Sequence, residues 1–169
     1  MKSNRKNFVS NRRGLTLIEL MVAIAIIGIL SAIAVPNYIT HRNNQKLTQA
    51  AREIYSALQS AKMTAIKRNA TINVLFSPGS GSSGTYHVFE DVSGDNVLDE
   101  GEGILNGHMP IGVTMQSAAF AGDADSARFS PLGLAAGAVG TVKVTNGSRT
   151  FEIVVNTGGG IRIDRVDTD

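Results

Sequence analysis

GLTLIELMVAIAIIGILSAIAVP, residues 14–36, follows Arg12-Arg13 and carries one acid, Glu19, five residues after its opening glycine. No charged side chain occurs from Leu20 to Val35, and Pro36 closes the run. As a helix, Leu15 to Val35 would rise about 31 Å at ~1.5 Å per residue, close to the ~30 Å of bilayer hydrocarbon. Every backbone polar group would then find its partner inside the segment, as lipid requires. A buried helix of a soluble domain is the competing reading. A surface apolar on all sides, behind a basic leader, favours the membrane span.

The leader, residues 1–14, is short, basic and polar. Lys2, Arg5, Lys6, Arg12 and Arg13 are five of the chain's sixteen Lys and Arg, and no acid precedes Gly14. Eleven basic residues remain beyond Gly14 against fourteen acidic ones, so the formal charge of +2 belongs to the leader and gives no argument for nucleic-acid binding. A secretory signal places its apolar core before the cut. Here a cut near Gly14 would leave the apolar helix in the mature chain. The clustered cations should hold the N-terminus in the cytoplasm and send the C-terminus across the membrane. With no Cys in the 169 residues, disulfides are excluded.

The run RRG-LTLIELMVAIAIIGILSAIAVPNY, from Arg12 to Tyr38, resembles the N-terminal signature of type IV pilins and type II secretion pseudopilins. That resemblance implies cleavage by a prepilin peptidase after Gly14 and N-methylation of the new terminus at Leu15. It also implies a Glu at the fifth mature position, here Glu19, and a Pro at the twenty-second, here Pro36. Leu15 departs from the commonest residue there, Phe. A carboxylate inside a bilayer is costly and marks a functional site with a partner to be named. Glu19 in the first helical turn gains a little from the helix N-terminus. The resemblance supplies its partner in assembly, the free N-terminal amine of a neighbouring subunit. The competing reading is a carboxylate reaching out to the lipid headgroups.

Beyond Pro36, which should bend the helix by removing one N–H bond, the pattern becomes amphipathic. Leu47, Ala51, Ile54, Leu58, Ala61 and Ala65 recur at spacings of three and four, while Arg42, Lys46, Arg52, Lys62, Lys67 and Arg68 face one acid, Glu53. The stripe is expected to pack on a sheet. From Thr71 the period becomes two, with Ile72, Val74 and Phe76, then Tyr86 and Val88, around a loose PGSGSSG loop. Gly79-x-Gly81-x-x-Gly84 in that loop fits a dinucleotide motif only superficially, because a strand is expected after it. Further strands are expected near 112–117, 127–130, 141–145, 149–156 and 160–165, with a hairpin at Asn146-Gly147. The expected fold is α+β, one long helix packed on an antiparallel sheet. Its parts are a leader (1–14), a transmembrane assembly helix (15–36), an amphipathic continuation (37–70) and a β-rich head (71–169).

Arg128–Gly133 (RFSPLG) and Ser148–Ile163 (SRTFEIVVNTGGGIRI), with the acidic segment Phe89–Leu105 (FEDVSGDNVLDEGEGIL), resemble the head of the GspH/FimT pseudopilins. Some members of the minor-pilin branch bind DNA through basic residues after the last Gly turn. Their pattern is Gly-Arg-x-Arg, whereas the corresponding run here, Gly160-Ile161-Arg162-Ile163, lacks the first Arg and has Ile at the second; Arg162 and Arg165 are present, but Asp164, Asp167 and Asp169 dilute them, which argues against nucleic acid. Asp91, Ser93, Asp95, Val97, Asp99 and Glu102 stand at positions 1, 3, 5, 7, 9 and 12 of a twelve-residue run, the spacing of calcium ligands. Asn96 replaces the usual glycine at position 6, and strands are expected on both sides. The segment is therefore either a calcium loop or a solvated acidic turn.

His41, His87 and His108 are isolated, no Ser sits in a Gly-x-Ser-x-Gly turn, and no Cys can act as nucleophile. The chain reads as a subunit and not a catalyst. The expectation is a GspH-like minor pseudopilin of type II secretion, in the inner membrane with its head in the periplasm, joining other pseudopilins in a filament through the prepilin peptidase and methyltransferase and the inner-membrane assembly platform. The alternative is a FimT/FimU-like minor pilin of a type IV pilus that adheres or takes up DNA.

Overall fold

The computed structural model describes residues 16–79, 84–122, 125–136 and 139–166. One helix, α1 (Leu17–Arg68), runs through Pro36. It falls in two compact units, one ending at Ile39 and the other beginning at Thr40. In the first, every described residue is exposed, and the apolar stretch is long enough to cross a membrane. In the second, the stripe read from the sequence is buried, joined by Ala50 and Ala57. Asn69 ends the helix in the left-handed conformation (φ 52). Ala70 N–H then donates to Ala65 O and Asn69 N–H to Ile66 O, which satisfies two of the last carbonyls.

Eight strands follow: β1 (Ile72–Pro78), β2 (Gly84–Glu90), β3 (Gly103–His108), β4 (Thr114–Phe120), β5 (Ser126–Phe129), β6 (Gly140–Thr145), β7 (Thr150–Val155) and β8 (Ile161–Val166). They form two antiparallel four-stranded sheets, in orders β3-β2-β1-β5 and β4-β6-β7-β8, where the sequence suggested one. Alternation places Val74 and Phe76 of the first sheet, and Val142, Val144, Ile153 and Val155 of the second, in one buried cluster with the helix stripe; Phe151 packs at its margin. Phe76 stacks on Phe120, ring centroids 5.7 Å apart, which links the two sheets through their apolar side chains.

The hairpin at Asn146-Gly147 is a four-residue turn, since Thr145 pairs with Thr150. Only Gly147 takes a positive φ, 84°. Asn146 acts through its side chain, whose Oδ1 accepts from the N–H groups of Ser148 and Arg149. Its Nδ2 donates to Asn44 Oδ1 on the helix, tying the turn to α1. Lys46 and Lys62 add similar ties, donating to the carbonyls of Ile111 and Gly159.

Candidate functional site

Gly14 and Leu15 lie outside the described residues. Glu19 sits in the first turn of α1, where it forms a reciprocal cap with Thr16. Thr16 N–H and Oγ1–H both donate to Glu19 Oε2 at 2.9 Å, and Glu19 N–H donates to Thr16 Oγ1 at 3.3 Å. This Thr-x-x-Glu arrangement answers two orphan N–H groups of the helix start. The Thr-x-x-Glu spacing was present in the sequence, but Glu19 stood out there for its charge and its place in the N-terminal signature, not as a cap. Ile18, Val22, Ala23 and Ile26 line a shallow apolar groove beside it. The carboxylate is thus held at a fixed place on an otherwise apolar, uncovered surface. Pro36 lies inside the same helix, seventeen residues further on.

Arg162 and Arg165 share β8 but not a surface. Their separation of three places them on opposite faces of a strand paired without a bulge. Arg162 Nε also donates to Asp164 Oδ2 at 2.6 Å. The structure does not join them into one basic patch. A strand, β2, begins at Gly84, which removes the helix that a dinucleotide motif needs.

The acidic run bridges β2 and β3. It is closed by Glu90 N–H on Glu102 O, while Asp91 N–H donates to the carbonyl of Thr71, just before β1. Asp91 Oδ1 accepts from Gly94 N–H at 2.7 Å, and Asp95 Oδ1 from Val97 N–H at 2.9 Å and Ser93 Oγ at 2.9 Å. These bonds, the backbone donor at Val97 first, hold the Asp95 carboxyl below the usual aspartate range. Glu102 accepts from Val92 and Asp99 N–H. Asn96 takes φ 64, the left-handed turn that a glycine usually supplies at this point of the run. Among the described residues, no three His, Asp or Glu side chains converge at metal-holding distance. His41 meets Gln45 and His87 meets Asn106, so the described histidines do not gather either.

Asn73, unremarked in the sequence, lies at the base of this run. It is 1% exposed, and its Nδ2 donates to Asp91 Oδ2 and Asn96 Oδ1. The only sequence signal was a polar residue inside the alternation of β1.

Comparison with known proteins places these features. Residues 50–159 match the family described as type II transport protein GspH, and residues 9–35 match the prokaryotic N-terminal methylation motif. The chain is 31% identical over 159 residues to pilin-like protein PilA1 of Thermus thermophilus, covering 90% of this chain and 99% of that one. A fimbrial protein of Pseudomonas aeruginosa is 49% identical over 55 residues, 32% of this chain and 35% of its own. The crystal structure of the type IV minor pilin FimU of Pseudomonas aeruginosa aligns with a TM-score of 0.49 at 17% identity, over 75% of this chain and 92% of its own. With a GspH match over most of its second unit and a methylation motif at its apolar helix, the chain belongs to the GspH family of type IV pilin-like proteins.

Proposed function

We propose that this chain is a minor pseudopilin of a type II secretion pseudopilus, without catalytic activity of its own. In this reading a prepilin peptidase cuts after Gly14 and Leu15 is N-methylated. Residues 15–36 hold the subunit in the inner membrane with residues 71–169 in the periplasm. The assembly platform then transfers the helix from lipid into a bundle of other pseudopilin helices. One observation carries the reading: the first helical unit leaves its large apolar side chains exposed, from Leu17 to Ile39, around a single carboxylate held in place by Thr16. Lipid and a helical bundle are two environments in which such a surface is stable. Glu19 would meet the terminal amine of a neighbouring subunit there, a charge-assisted contact that sets register.

A second reading is a minor pilin of a type IV pilus with an adhesive or DNA-uptake role; the nearly full-length likeness to a pilin-like protein favours its pilin part alone. Deletion of the gene, with parallel measurements of exoprotein secretion, twitching and transformation, separates the two. Loss of secretion alone supports the pseudopilus, and loss of transformation alone overturns it. Glu19→Val should be cleaved and inserted as the parent is, yet enter filaments poorly; normal entry would remove the role given to the acid.

A further inference from the structure

The stretch of α1 that follows the apolar run is basic and free of acids. Ile39 is the last exposed apolar residue of the run that starts at Leu17, and Tyr38 beside it is exposed too. Tyrosine settles at the boundary between hydrocarbon and headgroups. No Asp or Glu occurs between Glu19 and Glu53, whereas Arg42, Lys46 and Arg52 do. None of these three cations, nor Arg149, joins an ion pair among the described residues.

Two loops of the head are fastened to this stretch. Between β3 and β4, Ile111 O accepts from Lys46 Nζ at 3.0 Å; between β6 and β7, Asn146 Nδ2 donates to Asn44 Oδ1 at 3.0 Å. The second loop ends in Arg149, whose N–H is held on Asn146 Oδ1. With His41, Gln45 and Thr48 of the helix, Arg149 borders a shallow groove of about 580 Å³. The first loop presents Ile111, which is 83% exposed, and no acid occurs from Met109 to Val113 or from Thr145 to Arg149. Counted from Thr40, Asn44 and Lys46 lie about 6 and 9 Å along the helix at ~1.5 Å per residue. Headgroups occupy roughly 5–8 Å beyond the hydrocarbon on each side of a bilayer. An exposed isoleucine beside unpaired cations, at that distance from the last apolar residue, suits a surface that is anionic outside and apolar beneath.

We propose that the rim of the head formed by residues 110–112 and 146–149 docks on the anionic surface of the bilayer that holds the apolar helix. Ile111 enters the headgroup layer, while Arg42 and Arg149 meet lipid phosphates, for which a guanidinium offers two parallel donors. This rests on the membrane reading given above. Docking keeps the head against the bilayer until assembly lifts the subunit away.

Spin labels on single introduced cysteines test this, since the chain has no Cys of its own. The full chain is placed in nanodiscs containing phosphatidylglycerol and in discs of phosphatidylcholine alone, with a label from Ser148→Cys, Ser93→Cys or Ile26→Cys. In the phosphatidylglycerol discs the label at 148 should be sheltered from an aqueous nickel complex and the label at 93 open to it. The docking constant should fall about fivefold with Arg42→Gln and again with Arg149→Gln, the factor for one cation at an anionic surface. Lys143→Gln, which removes a cation from β6, should leave it unchanged. A label at 148 as open to nickel as the one at 93 overturns the proposal. So does equal shelter on phosphatidylcholine, and so does an equal loss with Lys143→Gln. The label at 26 separates the two readings: in hydrocarbon with 148 open, the rim proposal alone falls, and outside hydrocarbon the membrane reading falls with it. Thermal unfolding checks that each variant folds; should Arg149→Gln fail, Arg42→Gln carries the same expected loss.

Discussion

Glu19 answers Thr16 in its own helix, and two substitutions separate that cap from the intermolecular contact proposed for it. Thr16→Ala removes the reciprocal cap, a loss of about 1 kcal/mol in helix stability, but leaves the carboxylate; incorporation into filaments should stay near that of the parent. Glu19→Gln keeps an acceptor suited to the capping box and removes the charge; incorporation should fall, as counted by subunit content of sheared filaments. Gly107 is a different case. It pairs with Tyr86 across β2 and β3, and a Cβ there would run into the tyrosine ring. Gly107→Ala should destabilise the fold by about 1–3 kcal/mol in denaturant unfolding, because the ring must move out of a packed site. Tyr86 itself is buried, which raises its phenol pKa, helped by the charge of Glu53. For Asp95 the sign runs the other way. Its folded pKa is depressed, so its contribution is complete above the ordinary aspartate value of about 3.9 and is lost as pH falls through the lower folded value. Carboxyl NMR shifts of Asp95 should therefore titrate below those of a free aspartate, together with the amide of Val97.

Among the elements, those with one buried face were legible and those without were not. The helix stripe announced itself because Leu47, Ile54 and Leu58 are buried at helical spacing. Leu58→Ala should cost about 2–5 kcal/mol, measured by unfolding in urea, since the side chain is wholly enclosed. β3 escaped notice because GILNGH, at the edge of its sheet, is exposed along nearly all its length and so has no alternation to reveal. In β2 Val88 and Phe89 are successive and both buried although β1 pairs with them in unbroken register, so both faces of the strand are covered there and simple alternation fails. The division into two sheets was not legible either. Local period says which face of a strand is covered, but partner choice between β1 and β5, or β4 and β6, depends on contacts distant in sequence.

At the scale of the molecule, the buried apolar residues begin at Leu47, inside the second unit. A chain shortened to Thr40–Asp169 should therefore unfold within about 1 kcal/mol of the full chain in detergent, because no truncated core contact is involved. The leader's charge and the apolar run were plain from composition, since membranes select for bulk properties that a sequence displays directly. The calcium spacing was equally plain, but Asn73 needed three dimensions, as it comes from a strand eighteen residues before Asp91. The reciprocal cap at Thr16 has a further consequence for the assembly proposed for Glu19. Both Thr16 donors fall on Oε2, so the second carboxylate oxygen can take a neighbour's cation without giving up the cap. In the assembly proposed above, joining would add a bond to a helix start that stays closed throughout. Leaving would return the subunit with its first turn still wound, ready for another round.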